Sequence, residues 1–317
     1  MSLTQSAERA ALNKLIDYLD DNPQENIDKI MDLVNKLVPN RVFPVQREAF
    51  TNVIKSRGNW YDLIMRVFSL NPQMRTKLLK TLIVDANLLA WPEQEKNREK
   101  YQCNVPWAIL LDPTSACNLH CTGCWAAEYG HKLNLSYEKL SDIISQGKEL
   151  GTYFYMFTGG EPLLQPKLLR LLEKIRALGY LIKLDTNGAH PVTLKAVIDA
   201  DLVDYVAMDI KNSLRRYAET VGLPRLDLAP VLQSAEVLMQ GCVDYEFRTT
   251  AVSELHDDES FTGIAEWIQG ARQYYIQRFE DRDSVFHSGF HTPPEEVLHR
   301  WLALVKPHVK FAALRGM

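Results

Sequence analysis

Little in this chain marks a secreted, membrane-spanning or nucleic-acid-binding protein. Its 317 residues include only five cysteines, and three of them are clustered, so a disulfide framework is excluded and a reducing compartment is expected. No charge-free apolar run approaches the roughly 20 residues that a membrane-spanning helix requires. The opening stretch, Met1 to Arg9, has no apolar signal core. Charge of one sign is also scarce: 36 Lys and Arg stand against 40 Asp and Glu, a net charge of −4, which gives no footing for nucleic acid. These absences agree with a cytoplasmic protein, and the length of 317 residues leads to an expectation of one barrel-sized domain plus an appendage.

What is present is concentrated. Cys117, Cys121 and Cys124 lie on one CxxxCxxC run, close enough to share an inorganic centre. Thiolates are soft ligands that suit zinc or iron–sulfur clusters. Three cysteines on a four-iron cluster would leave one iron without a protein ligand, and an open coordination position is where chemistry happens. The alternative is a zinc knot with His120 or His131 as fourth ligand, which would make the protein an interaction module.

Three downstream motifs bear on that choice. Thr158-Gly159-Gly160-Glu161-Pro162, Asp185-Thr186-Asn187-Gly188 and Met208-Asp209-Ile210-Lys211 each follow a short apolar run, at Tyr153–Phe157, Leu181–Leu184 and Val203–Ala207. Such runs read as buried strands. Helical patterns between them, at Ser136–Leu150 and Pro166–Leu178, imply strand–helix alternation and hence a parallel sheet. In parallel sheets functional groups gather at the carboxyl ends of strands, where all three motifs sit. A zinc knot needs no such arrangement.

The cysteine run, followed in order by these motifs, closely resembles the radical S-adenosylmethionine (SAM) superfamily. That resemblance implies a [4Fe-4S] cluster held by Cys117, Cys121 and Cys124, with SAM chelating the open iron through its amino and carboxyl groups. The Gly159-Gly160-Glu161 strand end would meet the SAM amino group, with the glycines permitting close backbone approach and Glu161 accepting from the ammonium. Residues 150–317 look like the activating proteins of anaerobic ribonucleotide reductase and other glycyl-radical enzymes. In those activases, residues matching Asp185, Thr186 and Asp209 surround a cation, here expected to be monovalent, with Lys211 near the methionyl end. Hard oxygen ligands suit such an ion. An Asx turn at Asn187 explains part of the same motif without a ligand, but not two aspartates on buried strands.

The resemblance continues through Phe247-Arg248-Thr249-Thr250, Tyr274-Tyr275-Ile276-Gln277-Arg278-Phe279 and Ala313-Leu314-Arg315-Gly316. It puts Arg248 and Gln277 on late strands facing the nucleoside. Residues 1–150 differ. Activases begin almost at the cluster loop, whereas 116 residues precede Cys117 here, and Asp112–Ala116 with Trp125–Gly130 resemble another group of anaerobe radical SAM proteins of unassigned reaction. Gly123 stands where many members carry an aromatic residue against adenine; two readings of Trp125 stay open, one that it takes that place and one that it belongs to the core. Cys103 and Cys242 are isolated and expected to be buried; two spare cysteines do not furnish an auxiliary cluster.

Before the cysteines the pattern is helical. Leu12, Leu15-Ile16 and Leu19 repeat at helix spacing, as do Ile27, Ile30-Met31, Val34 and Leu37-Val38, with Trp60-Tyr61 and Leu63-Ile64 beyond. Breaks are expected near Pro23, Pro39, Pro44 and Pro72. A late polar loop containing Asp281-Arg282-Asp283, His287 and His291 reads as solvated surface. The whole therefore reads as an α/β chain: a helical region over residues 1–102, then a partial (β/α)6 radical SAM barrel over 103–317. The expected reaction is reductive cleavage of SAM and hydrogen abstraction from a substrate. The activase likeness implies a glycine of a glycyl-radical partner protein as substrate, and an electron donor such as flavodoxin or ferredoxin. The competing expectation is a stand-alone enzyme acting on a small molecule.

Overall fold

A computed structural model describes every residue except 1, 2, 40–42, 69, 71, 122, 123, 125–132, 158, 281–288 and 317. The chain forms two compact units: Met1–Ala108 with Gly147–Phe154, and Ile109–Gln146 with Tyr155–Met317.

The first unit is helical. It contains α1 (Leu3–Asp21), α2 (Pro23–Leu37), α3 (Pro44–Ser56), α4 (Asn59–Val67), α5 (Pro72–Leu79), a π-helical stretch (Lys80–Ala90) and α6 (Trp91–Tyr101). The helix breaks fall beside Pro23, Pro39, Pro44 and Pro72 as expected, and Pro23, Pro44 and Pro72 each open the helix after the break. A helix's first N–H groups have no intrahelical acceptor, so a proline there loses no hydrogen bond, and its fixed φ favours the first turn. Leu19, Ile27, Met31 and Ile54 form one buried cluster, while Ile16, Leu79 and Val84 form another. Residues 147–154 join this unit through side chains of α6. Gln94 donates to the Gly151 carbonyl at 2.6 Å, Asn97 donates to the Leu150 carbonyl, and Thr152 donates to the Pro106 carbonyl at 2.8 Å.

The second unit carries the sheet. After β1 (Ala108–Leu111) come α7 (Tyr137–Leu150) and β2 (Phe154–Phe157), and these two strands pair with each other. Five strands then run parallel in chain order: β3 (Lys183–Thr186), β4 (Tyr205–Asp209), β5 (Asp244–Ala251), β6 (Tyr274–Arg278) and β7 (Ala312–Arg315). Between them lie α8 (Leu168–Ala177) before β3, α9 (Pro191–Asp199), α10 (Tyr217–Thr220), α11 (Ala229–Met239), α12 (Asp258–Trp267) and α13 (Glu295–Val305). The expected strand–helix alternation is borne out: β2 begins one residue later than expected, and β3 and β4 are displaced two residues toward the C-terminus. Asp185, Thr186 and Asp209 thus lie on strand ends rather than beyond them.

Register explains the composition of these strands. Asp185 pairs with Ala207, Asp209 with Arg248, Arg248 with Tyr275, and Gln277 with Arg315. Side chains alternate between faces along a strand, so Lys183, Asp185, Tyr205, Asp209, Glu246, Arg248, Tyr275, Gln277 and Arg315 share one face. The other face presents Leu184, Val206, Met208, Phe247, Tyr274 and Ile276, all buried in the main core. One face is greasy and the other is built for polar work.

Cys103 and Cys242 are exposed, contrary to expectation. Cys103 follows the end of α6, and Cys242 sits in the turn before β5, so neither has an apolar layer to enter. Among the described residues no helix is long and apolar enough to cross a membrane.

Candidate active site

The cysteine loop is anchored at its base. Residues 113–115 meet 133–135 through an antiparallel bridge: Leu135 N donates to the Pro113 carbonyl, and Ser115 N to the Leu133 carbonyl, both at 2.9 Å. The glycine turn after β2 packs against that base, where Glu161 N donates to the Ala116 carbonyl at 2.8 Å. Gly159 and Gly160 both have positive φ, and a Cβ on Gly160 would overlap the Ala116 carbonyl and come within 2.9 Å of Thr114. Only glycine permits this approach. A second anchor lies past α10, where His120 N donates to the Val221 carbonyl at 3.1 Å.

Glu161 fastens the second motif to the first. Its Oε1 accepts from Leu163 N at 3.1 Å and from the Thr186 hydroxyl at 2.9 Å, and its Oε2 accepts from Asn187 N at 2.7 Å. It is 1% exposed, and burial pushes its pKa up to about 7 against the pull of these three donors. Both oxygens therefore belong to the scaffold of the Asp185–Gly188 loop. Asn187 closes the Asx turn by accepting from Ala189 N at 2.9 Å. Its amide nitrogen also donates to Asn118 at 3.0 Å and to Cys117 Sγ at 3.7 Å, tying the loop to the cysteines.

The cysteine set suits a cluster. Burial raises the thiol pKa values of Cys117 and Cys121, and each feels charge from Cys124. Buried thiols stay neutral unless positive charge compensates the thiolate, and metal binding supplies that charge. Among the described residues no group of three His, Cys, Asp or Glu side chains is placed to hold a single metal ion, and His131, a candidate fourth zinc ligand, lies outside them. In a cluster each cysteine holds its own iron, so no single point of convergence is needed. His131, Trp125, Gly123 and Thr158 lie outside the described residues.

Beside the loop, the expected cation ligands are already engaged. Arg248 bridges two strand ends: its Nε donates to Asp209 Oδ1 and one terminal nitrogen donates to Asp185 Oδ2 at 2.8 Å. Lys211 donates to the other Asp209 oxygen at 2.7 Å, and Lys183 donates to the other Asp185 oxygen. Burial disfavours the Asp209 anion, but Lys211 and Arg248 outweigh it and hold its pKa at about 2. Thr186 donates to Glu161 and accepts from Gly188 N at 3.1 Å. As placed, these groups form an ion lattice closed on itself rather than an open cation cage. Gln277 lies on the same sheet face as Arg248, one side-chain position further along its strand, as the Thr250–Gln277 pairing requires.

Several participants had no motif to announce them. Glu246, on the shared face, receives both terminal nitrogens of Arg315 at 2.8 Å and the Tyr205 hydroxyl at 3.1 Å, while the guanidinium of Arg315 lies 3.8 Å from the centre of the Tyr275 ring. His256 is buried, and its Nε2 lies 3.0 Å from the Lys211 carbonyl, fixing the chain just after Asp209. Polar residues at every second strand position were the available signal for the first group. His291 pairs with Glu254 at 2.6 Å, whereas His287 and Asp281–Asp283 fall outside the described residues.

Comparison with known proteins places the chain in a family. The Radical SAM superfamily model matches residues 111–259. A Methanocaldococcus jannaschii protein, provisionally named a glycyl-radical enzyme activating enzyme, is 30% identical over 175 residues, covering 53% of this chain and 71% of its own. This chain belongs to the radical SAM superfamily. It is accordingly an enzyme of the class that uses a [4Fe-4S] cluster and SAM. Streptomyces rochei PqqA peptide cyclase is 30% identical over 143 residues, covering 43% of this chain but only 38% of that protein. In fold, the chain is similar to Streptococcus suis SuiB bound to SAM, with a TM-score of 0.55 at 13% identity, covering 84% of this chain and 63% of that one.

Proposed function

We propose that this radical SAM protein is activase-like and generates a radical on a glycine of a partner protein. The observation that carries the SAM part is Asn187, which joins the cysteine loop to the strand-end motif by bonds to Cys117 and Asn118. A cluster and a SAM molecule would then occupy one rigid frame. Cys117, Cys121 and Cys124 would hold three irons, and the backbone of Gly159 and Gly160 would meet the SAM amino group. Lys211 and the unbonded edge of Arg248 offer donors to the SAM carboxylate. When bound, a reduced cluster supplies the electron that cleaves SAM to methionine and a 5′-deoxyadenosyl radical. Gln277 and Tyr275, further along the polar face, line the side from which a nucleoside or substrate would approach. Preorganised charge of this kind acts without reorganising when the reaction occurs.

The activase reading draws its support from the Methanocaldococcus relative and from the order of the motifs at strand ends. A flavodoxin or ferredoxin would supply the electron. A small-molecule or peptide substrate is supported by a different observation: residues 1–108 of the first unit precede the family match, and the peptide cyclase is also 30% identical over its aligned stretch. Electron paramagnetic resonance decides between them. Reduced, reconstituted protein incubated with SAM and a co-encoded glycyl-radical enzyme should yield a glycyl-radical doublet on that enzyme. No doublet, together with SAM cleavage stimulated by a small metabolite or peptide, contradicts the activase reading.

A further inference from the structure

We infer that Arg248 is a built-in cation, taking the place that a monovalent metal ion would hold between Asp185 and Asp209. The inference rests on the SAM-binding reading and concerns how the SAM carboxylate is neutralised. A monovalent ion in that place would need carboxylate oxygens free to coordinate it. Here all four are claimed: Asp185 by Lys183 and Arg248, Asp209 by Lys211 and Arg248. The pairing of Asp209 with Arg248 across β4 and β5 makes the bridge a product of the sheet register, not of a wandering surface side chain. Arg248 is 16% exposed in its side chain, and its bond to Asp209 is the more sheltered of the two, since Asp185 is 42% exposed.

Charge balance points the same way. Three cationic side chains face two carboxylates, so the lattice already carries one positive charge in excess. One incoming SAM carboxylate neutralises that excess. A metal ion added to the same lattice would lie against three cationic side chains with no carboxylate charge left to balance it. The geometry of the guanidinium fits the task as well. A planar fork with five N–H donors can hold one carboxylate through Nε and a second through a terminal nitrogen, and still offer its remaining edge to a third. Among the described residues the second terminal nitrogen of Arg248 makes no hydrogen bond to protein, and it is the group left to meet the ligand.

The test is SAM affinity, measured by equilibrium dialysis on anaerobically reconstituted protein, with iron per chain as the control for an intact cluster. In wild type, replacing sodium and potassium by choline should change affinity less than about twofold, because the charge is supplied by the protein. In Arg248→Gln, affinity in choline should fall about tenfold or more, as a charge-assisted bond is lost. Potassium should then restore part of it, since Asp185 and Asp209 regain free oxygens. Arg248→Lys should fall between the two, because one ammonium does not reach both carboxylates in a fork. Wild-type affinity that drops severalfold in choline overturns the inference while leaving the SAM-binding reading intact. No SAM binding in any salt, with the cluster present, overturns both.

Discussion

Glu161 shows how much one side chain decides. Three donors on two different loops converge on its carboxylate, yet burial lifts its pKa to about 7. A carboxyl whose folded pKa lies above its unfolded value of about 4.5 stabilises the fold least when ionised. Its contribution is therefore highest below the unfolded value and is lost as pH rises through 7. In metal-free protein, the unfolding free energy of wild type relative to Glu161→Gln should fall by roughly 3 kcal/mol between pH 4 and pH 8. A pH-independent difference in denaturant titrations contradicts this. Asn187→Ala should remove the link to Cys117 and Asn118, costing about 1 kcal/mol. Slower iron incorporation at unchanged final iron content is the expected reading. At this scale the sequence exposed the motif residues, because their order was distinctive. It did not expose the Arg248 bridge or the Glu246–Arg315 pair, because contacts 39, 63 and 69 positions apart leave no local pattern.

The parallel sheet was legible among the elements, since β-rich runs alternated with helical ones. Reading the strands as wholly buried was less sound. Lys183, Asp185, Tyr205, Glu246 and Arg248 recur at every second position, the alternation of a sheet with one polar face. In the N-terminal region the periodicity located the helices and the breaks fall beside the prolines, three of which open the next helix as first-turn residues. Two variants test the elements that frame the site. Gly160→Ala sets a Cβ against the Ala116 carbonyl at positive φ and should cost about 2–3 kcal/mol. A melting temperature within a degree of wild type would contradict the close approach. Arg315→Ala strips Glu246 of both its guanidinium bonds at the last strand, leaving a buried carboxylate. Allowing for the partial exposure of Arg315, a loss of about 2 kcal/mol is expected in the same assay.

For the molecule as a whole, the exchange of residues 147–154 into the helical unit rests on bonds from α6 side chains to backbone carbonyls, which leave no periodic trace in the sequence. The family match spans residues 111–259, so the sheet face from Asp185 to Arg248 lies inside it, while Gln277 and Arg315 extend the same face beyond it. In the proposed function this face and the cysteine loop act together as one SAM-cleaving centre. The most direct measurement is the amount of 5′-deoxyadenosine released when anaerobically reconstituted, reduced protein is given SAM. Wild type should hold about four irons per chain and release 5′-deoxyadenosine with matching methionine, and Cys117→Ala, Cys121→Ala and Cys124→Ala should each release none. A chain that binds zinc rather than iron under anaerobic purification, or that carries the cluster yet leaves SAM uncleaved with or without partner, would contradict the account.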